Sequence, residues 1–501
     1  MSSNNDTNKL KIIDPEIRVN FVSEIKNNKH FDKDIFNNVI KGNINRTNIE
    51  KLIKKLFKYN GNKELDIFVD NIIYNNNDTL IEFLNNFNIK FQEENVNITY
   101  NFKMDEPKLI DSKKQNEWIK SLINIDNNYA VVGLFNSELN LYNINSRDKL
   151  EIINYNILNN KKNNNIDNNL TNLSKEENFN KFLNSIDVSY VESKGDYVYM
   201  LIFTSIRDSE YDIEYTELAI DTTKNTYYKK QSSYCGSNNY NNLTCLSVSP
   251  FNKNCIVAGT TNGNIQMYTL DQNYENSLEK HINDNLEFYN NNNNINFNKK
   301  NSREKTNIKH TITPNQSLFN SNYNLEDIST EQFTCFKWLN PNNIVSSSNN
   351  YIKIFSSLNL TLIKQIHLNH HLCSSIDVLD KESQIVSAHD NGSVKFWDIR
   401  NKNPLCHNIK SCHKGYVSYV KNLFNENINN NNNIITCGYD GEVKLWDRRN
   451  LSSYYYILPA DGNKDKIFTC CSFINKTSLN NESNNILITG GASEYLNFYR
   501  L

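Results

Sequence analysis

The sequence is poor in the residues that build several kinds of catalytic site. It has 14 Gly and 7 Pro, and it contains neither a Gly-rich phosphate-binding loop nor a Gly-x-Ser-x-Gly nucleophile motif. Its 10 Cys include no Cys-x-x-Cys pair, which argues against a disulfide scaffold and favours a reducing compartment. We therefore expect no enzyme activity and no cofactor.

Long apolar runs and an excess of charge of one sign are also missing. No run approaches the ~20 apolar residues of a membrane span, and the N-terminal residues lack the apolar core of a signal peptide. The formal net charge of −2 gives no support for a nucleic-acid surface along the whole chain. We expect a soluble intracellular protein.

Asparagine, by contrast, makes up close to one residue in five. Long Asn tracts cannot bury enough apolar surface to offset the entropy lost on ordering, so the tracts are expected to interrupt domains. The 28 Tyr and 25 Phe still allow a sizeable core.

The first part of the chain follows an α+β pattern. After a disordered tail over residues 1–15, residues 16–104 carry alternating apolar positions typical of strands, beginning at Ile17. Thr47 and Glu50 have capping-box spacing before a helical stripe, Gly61 follows that stripe, and Thr79-Leu-Ile-Glu82 repeats the spacing. The order strand, helix, strand, short helix, strand predicts a ubiquitin-like roll.

The remaining residues, 105–501, repeat one template of strands with an Asn/Asp-Gly turn and a closing aromatic. Aligned positions recur after 42 residues from Phe355 to Trp397 and after 49 from Trp397 to Trp446, which is a stretched WD-repeat period. We predict a mainly β fold: a seven-bladed WD-repeat β-propeller after a small α+β domain. Low-complexity inserts without packed structure are expected at about 150–180 and 271–328.

Two blades carry residues of a buried WD-type hydrogen-bond network. The sixth has the full set of His413, Asp440 and Trp446, and the fifth a partial set of Asp390 and Trp397. A catalytic His–Asp pair uses the same residue types, but a blade-stabilising network is the favoured interpretation.

Three further clusters can be interpreted either as ordinary structure or solvated surface or as functional sites. His370, His371 and Cys373 lack a second ligand pair at zinc spacing, which favours a strand edge over a metal site. Glu93 and Glu94 precede the last strand of the first domain, where an acidic pair is usually solvated surface. A basic cluster in the second insert could contact rRNA phosphates, act as an import signal, or be a solvated loop; it consists of Lys299, Lys300, Arg303, Lys305 and Lys309.

The order of parts resembles the WD-repeat ribosome-biogenesis protein of the PeBoW complex, which has an N-terminal ubiquitin-like (NLE) domain. The resemblance rests on Ile17-Arg-Val-Asn-Phe, Leu65-Asp-Ile-Phe-Val-Asp and Val96-Asn-Ile-Thr-Tyr in the first domain. In the propeller it rests on Cys412-His-Lys-Gly-Tyr-Val and Tyr439-Asp-Gly-Glu-Val-Lys-Leu-Trp-Asp.

The resemblance implies a non-catalytic scaffold of pre-60S particles in the nucleolus and nucleoplasm, required for pre-rRNA processing. Its expected partners are the propeller of the block-of-proliferation protein, pescadillo and the AAA ATPase midasin, which releases the complex from the particle. Alignment of the closing strand places the family's midasin-binding glutamate at Glu93, whose carboxylate would complete a Mg²⁺ site of midasin. The alternatives are a Notchless-like factor, whose propeller has an extra blade, and a WD-repeat substrate receptor of a ubiquitin ligase.

Overall fold

The computed structural model describes most of the chain outside the Asn-rich tracts. The described residues are 16–23, 25, 34–70, 72–74, 78–91, 95–103, 106–125, 128–154, 182–194, 197–207, 213–221, 226–234, 243–252, 255–269, 313–318, 331–380, 383–423, 433–451, 454–459, 468–477 and 483–501. They form a mainly β protein, as predicted. None of the helices they contain is long and apolar enough to cross a membrane.

The N-terminal domain is one five-stranded sheet with two helices. In chain order its elements are β1 Glu16–Ser23, β2 Ile35–Lys41, α1 Arg46–Leu56, β3 Leu65–Val69, β4 Ile72–Ile73, α2 Leu80–Asn86 and β5 Val96–Phe102. The strand order is β2-β1-β5-β3-β4, with β1 and β5 parallel. Alternation along β1 buries Ile17, Val19 and Phe21 against the helices, so the core lies on one face of the sheet.

The two helix starts differ in how well the sequence predicted them. The capping box of Thr79 and Glu82 is present at α2. At α1 the predicted box is wrong, because the N-cap is Asn45, whose side chain accepts from the Asn48 N–H at 3.1 Å. Glu50 instead accepts from the Leu65 N–H at 3.2 Å. Asn is as good an N-cap as Thr, so the spacing alone could not choose between them.

Gly61 does not end α1. The helix stops at Leu56, and the left-handed backbone that follows it falls on Lys58, with φ of 52°.

The rest of the described chain forms seven four-stranded antiparallel sheets. We call them blades one to seven in the order of their first strands, β7, β11, β15, β19, β23, β27 and β31. The strands are β6 Lys108–Lys114, β7 Ile119–Ile125, β8 Tyr129–Leu134, β9 Glu138–Asn143, β10 Lys149–Asn154, β11 Phe182–Lys194, β12 Tyr197–Arg207, β13 Ile213–Asp221, β14 Thr226–Tyr234, β15 Leu243–Val248, β16 Cys255–Thr260, β17 Ile265–Thr269, β18 Thr313–Leu318, β19 Phe333–Asn340, β20 Asn343–Ser348, β21 Tyr351–Ser356, β22 Leu362–His367, β23 Cys373–Val378, β24 Gln384–His389, β25 Val394–Asp398, β26 Leu405–Ile409, β27 Val417–Asn422, β28 Asn433–Gly438, β29 Glu442–Asp447, β30 Tyr456–Pro459, β31 Phe468–Thr477, β32 Ser483–Gly491 and β33 Tyr495–Arg500.

The blades form a closed ring. A separate apolar cluster lies between each blade and the next, and the cluster of Ile119, Leu122, Ile488 and Phe498 joins blade seven to blade one. Strand β6 precedes blade one in the chain but pairs with β33 as the fourth strand of blade seven. Closure therefore ties the two ends of the ring together through hydrogen bonds.

The first predicted insert contains most of a strand and the second a whole strand, which corrects the expectation that neither packs. Most of β10 falls in the first insert, and β18, Thr313–Leu318, falls in the second and pairs with β17. Both are the outermost strands of their blades, where polar residues and a proline such as Pro314 are tolerated at the edge of a sheet. Composition alone therefore hid them. Residues 155–181, 270–312 and 319–330 lie outside the described residues.

Candidate functional site

The polar centre of blade six is a chain of four side chains. Nδ1 of His413 lies 2.9 and 3.1 Å from the two carboxylate oxygens of Asp440, and its Nε2 lies 2.8 Å from the hydroxyl of Thr436. The indole N–H of Trp446 donates to the same hydroxyl at 2.9 Å. His413 and Trp446 are buried. The structure thus brings together the three residues that the sequence singled out.

Both ring nitrogens of His413 have hydrogen-bond partners inside the blade. Nδ1 bonds to Asp440, Nε2 bonds to the Thr436 hydroxyl, and the Thr436 oxygen accepts from Trp446. Burial raises the pKa of Asp440, but hydrogen bonds from His413 and the backbone N–H of Lys414 outweigh it and hold that pKa at about 2. The polar side-chain atoms of these four residues are thus bonded within the blade, as in a network that stabilises the fold.

Thr436 is the member of this network that the sequence analysis missed. It stands two residues after Ile434, and Ile434 pairs with Trp446 across β28 and β29. A hydroxyl residue recurs at this place in blade five, where Ser387 follows Ile385 and Ile385 pairs with Trp397. This recurrence was the available signal.

Blade five builds a related centre with a different histidine. The indole N–H of Trp397 donates to Ser387 at 2.7 Å, and that hydroxyl lies 2.8 Å from Nε2 of His389. His389 is fully buried and stands on β24 itself, two residues beyond Ser387. Burial first, and then the charges of Lys395 and His371, lower the pKa of His389 to about 3.

Asp390 is not part of this centre, which corrects the predicted partial set. The strand register aligns Ser387 with Thr436, and therefore Asn391, not Asp390, with Asp440. The Oδ1 atom of Asp390 lies 3.6 Å from Nδ1 of the half-exposed His371. Only Trp397 of the predicted pair takes the expected role.

Two other blades replace the histidine chain altogether. In blade one, Gln115 accepts from the Asn140 amide at 2.9 Å and donates to the Tyr142 hydroxyl at 2.9 Å. In blade four, the Lys353 ammonium lies 3.1 Å from the Glu331 carboxylate, and both side chains are buried. These two blades therefore pair central polar side chains with partners other than a histidine.

The donor set in blade six does not fit a metal ion. Ligand atoms of His413, Asp440 and Glu442 lie within 4.8 Å of one another. However, the His413 Nδ1 is engaged with Asp440, and Glu442 pairs with Lys444 at 3.0 Å. His370, His371 and Cys373 do not form a ligand group either, because Cys373 is buried in β23 whereas His371 faces Asp390.

A junction joins the N-terminal domain to blade six. The hydroxyl of Tyr455 donates to Asp66 of β3 at 3.0 Å and lies 3.3 Å from Asp447. The guanidinium of Arg449 stacks on the Phe68 ring, 3.4 Å from its centroid, and donates to both oxygens of Asp447. A cavity of about 240 Å³ lies beside these residues.

The junction is a charged contact protected from water. Phe68 is fully buried, although it is not part of the domain's own core cluster. Burial raises the pKa of Asp66, and the Tyr455 hydrogen bond opposes that rise. The junction therefore combines an apolar stack with a satisfied carboxylate.

Two predicted sites lie outside the described residues. Glu93, with its neighbour Glu94, falls between Phe91 and Asn95. The basic cluster of Lys299, Lys300, Arg303, Lys305 and Lys309 falls within residues 270–312. Both stay predictions.

A match to one family model supports the fold class. The family described as "WD domain, G-beta repeat" matches residues 405–447, which cover β26 to β29. The chain is similar to the crystal structure of the WD40 beta propeller domain of Doa1, with 12% identity over 79% of this chain and 97% of that chain and a TM-score of 0.47. A comparison with curated proteins found no match.

The chain is a mainly β protein whose propeller contains a WD40 repeat. Propellers of this class are typically non-enzymatic scaffolds that mediate protein–protein interactions.

Proposed function

We propose that this protein is a non-catalytic scaffold of large ribosomal subunit biogenesis, acting in a PeBoW-type complex in the nucleolus and nucleoplasm. The observation that carries the proposal is the combination of two units in one chain. A five-stranded sheet of order β2-β1-β5-β3-β4 with two helices precedes a ring of seven blades. That strand order, with a parallel central pair, is the order of a ubiquitin-like roll. The motifs that resemble the family lie in both units.

The described polar centres support a role in binding rather than catalysis. In blades five and six the histidines are buried and hydrogen-bonded within the blade. A general base needs to reach a substrate proton. His413 instead shares its ring nitrogens between Asp440 and Thr436.

The proposed release step uses the N-terminal domain. In this proposal Glu93 completes the Mg²⁺ site of midasin, and the ATPase then removes the complex from the pre-60S particle. The junction with blade six involves β3, whose Asp66 lies beside the end of β5 that is farther from Glu93 in the sequence. Asp66 pairs with Asn101 near the end of β5, whereas Glu93 precedes the start of that strand. Asn95 and Asn101 are six residues apart, which corresponds to about 20 Å along a strand.

The Notchless-like alternative predicts an extra blade, and the seven blades of the described residues favour the PeBoW-type assembly. The ligase-receptor alternative predicts a ligase-docking element ahead of the propeller, where this chain has the five-stranded sheet.

The proposal is tested by affinity purification of the tagged full-length protein. Recovery of pescadillo, the block-of-proliferation protein and pre-60S rRNA supports it, and recovery of a cullin complex instead would overturn it.

Glu93→Ala tests the release step, with Glu94→Ala as the matched control. We expect Glu93→Ala to retain the propeller partner, lose midasin and accumulate on pre-60S particles. Unchanged midasin binding by Glu93→Ala, or an equal loss in Glu94→Ala, would show that Glu93 is the wrong residue.

A further inference from the structure

Three aromatic side chains line an open pocket where blade one meets blade two. The pocket has a volume of about 170 Å³ and is lined by Glu117, Trp118, Phe135, Asn136 and Phe182. Trp118 is 46% exposed and Phe182 is 40% exposed. Large apolar side chains that are exposed together mark a binding surface more often than single ones do.

The backbone holds these rings in place. The Phe135 N–H donates to the Trp118 carbonyl at 2.9 Å, and the Leu183 N–H donates to the Phe135 carbonyl at 3.2 Å. The rings meet edge to face, with centroids 6.1 Å apart for Trp118 and Phe135 and 5.7 Å apart for Phe135 and Phe182. The pocket is therefore formed before any ligand arrives.

Two rings and one carboxylate of the pocket can attract a cation. Aromatic faces carry the negative part of the ring quadrupole. The Lys120 ammonium lies 5.5 Å from the centroid of Phe135 and already uses that ring, so a bound cation would use Trp118 or Phe182. Glu117 adds a carboxylate at the rim, where its Oε1 accepts from the Trp118 N–H at 3.1 Å.

The junction shows how an arginine can contact an aromatic ring and a carboxylate at the same time. At the junction, Arg449 stacks on Phe68 at 3.4 Å and forms a two-pronged contact with the Asp447 carboxylate. The pocket presents the equivalent groups, a ring face and a carboxylate, at the solvent surface.

Blade six provides a counter-example at the corresponding positions. Tyr416 and Tyr439 correspond to Trp118 and Phe135, and the backbone bond from Tyr439 N–H to the Tyr416 carbonyl measures 2.8 Å. Their centroids are only 4.4 Å apart and their planes are tilted by 33°, so the two rings cover each other. Aromatic residues at these two repeat positions therefore do not by themselves produce the open arrangement of blade one.

We propose that this pocket binds the guanidinium of an arginine in an extended segment of a partner polypeptide. Arginine fits better than lysine because its planar group can stack on Trp118 or Phe182 while it donates to Glu117. A quaternary ammonium would need rings on several sides, whereas these three line one side of an open pocket. This inference does not rest on the proposed ribosomal function.

The chain offers a built-in reporter for the test. It has four Trp, and Trp338, Trp397 and Trp446 are each at most 8% exposed. The full-length protein is titrated with the peptide acetyl-Gly-Arg-Gly-amide, and with its citrulline and lysine counterparts. We expect a saturable change in fluorescence with the arginine peptide, several-fold weaker binding of the lysine peptide, and no saturable change with citrulline, which keeps the shape but not the charge. Trp118→Phe should abolish the signal.

Two variants and a matched control complete the test. Glu117→Gln and Phe182→Ala should each weaken arginine binding about five- to tenfold. Phe251→Ala, which removes a ring that is 41% exposed elsewhere on the propeller, should leave binding unchanged. Equal binding of the arginine and citrulline peptides, or no saturable signal in the folded protein, would overturn the proposal. Unaltered thermal melting shows that a variant is folded.

Discussion

Blades five and six place the same pair, a tryptophan and a hydroxyl residue, at the same strand positions, but they supply the histidine differently. In blade six His413 comes from the segment before β27 and reaches across to Thr436. In blade five His389 comes from β24, the strand that carries Ser387. His389 occupies the register position of Gly438, so the side chain missing at Gly438 makes room for the ring of His413.

The difference also extends to the carboxylate. Asp440 accepts from His413 and from the Lys414 and Glu442 N–H groups, so it anchors the loop before β27 to the turn after β28. Blade five has Asn391 at this position, and its side chain accepts from Ser393 within its own turn. Asp440 and Asn391 thus occupy the same position in the repeat, but Asp440 connects a loop to a turn whereas Asn391 bonds only within its own turn.

The largest effect is expected from His413→Ala. The change removes the partner of Asp440 and Thr436 and leaves both polar groups without it in a buried place, which should lower the free energy of unfolding by about 3 kcal/mol. Urea unfolding followed by tryptophan fluorescence measures this. A variant with wild-type stability would show that the network does not hold blade six together.

Gly438→Ala should have the next largest effect, because it forces blade six toward the blade-five arrangement. A Cβ at this position would lie 2.5 Å from His413 Nδ1 and 2.7 Å from Asp440 Oδ1. Such overpacking costs about 1–3 kcal/mol. In a His413→Ala background the same substitution should cost much less, and a double-mutant cycle measures the difference as coupling between the two positions. Additive losses of stability would show that the added Cβ at position 438 is accommodated without displacing His413.

The third prediction concerns the pH dependence of stability, which should differ between blades five and six. His389 has a folded-state pKa of about 3, below the unfolded value of about 6.5. Between these values the unfolded chain binds more protons, so the contribution of His389 is complete above pH 6.5 and is lost as the pH falls toward 3. Asp440 acts lower: its contribution is present above the unfolded pKa of about 3.9 and is lost as the pH falls toward 2.

His389→Gln should therefore flatten the loss of stability between pH 6.5 and 4.5, by up to about 1 kcal/mol for each pH unit. Asp440→Asn should leave the slope in that window unchanged. Urea midpoints measured across the window decide between them, and an unchanged slope in His389→Gln would place the titration elsewhere.

The sequence predicted the repeats better than it predicted the residues that complete them. The strand–turn–strand pattern ending in Trp446 placed His413 and Asp440 correctly, because one blade carried the whole motif. It assigned Asp390 wrongly, because an Asp beside the turn is compatible with either register until the pairing of Ile385 with Trp397 fixes it. Strand β6 could not be assigned to blade seven, because its partner β33 lies almost the whole length of the propeller away in sequence.

The smallest effect is expected from Asp390→Asn. Its contact with His371 is 3.6 Å long and joins two side chains that are 39% and 42% exposed, where ion pairs contribute about 0–1 kcal/mol. The network of Trp397, Ser387 and His389 does not include it. We therefore expect a change of less than about 0.5 kcal/mol in the free energy of unfolding. Asn391→Ala, measured beside it in the same urea titration, removes the acceptor of the Ser393 N–H and hydroxyl and should cost more. A larger loss of unfolding free energy in Asp390→Asn would show that Asp390 belongs to the polar centre of blade five. It would contradict the register that aligns Asn391 with Asp440.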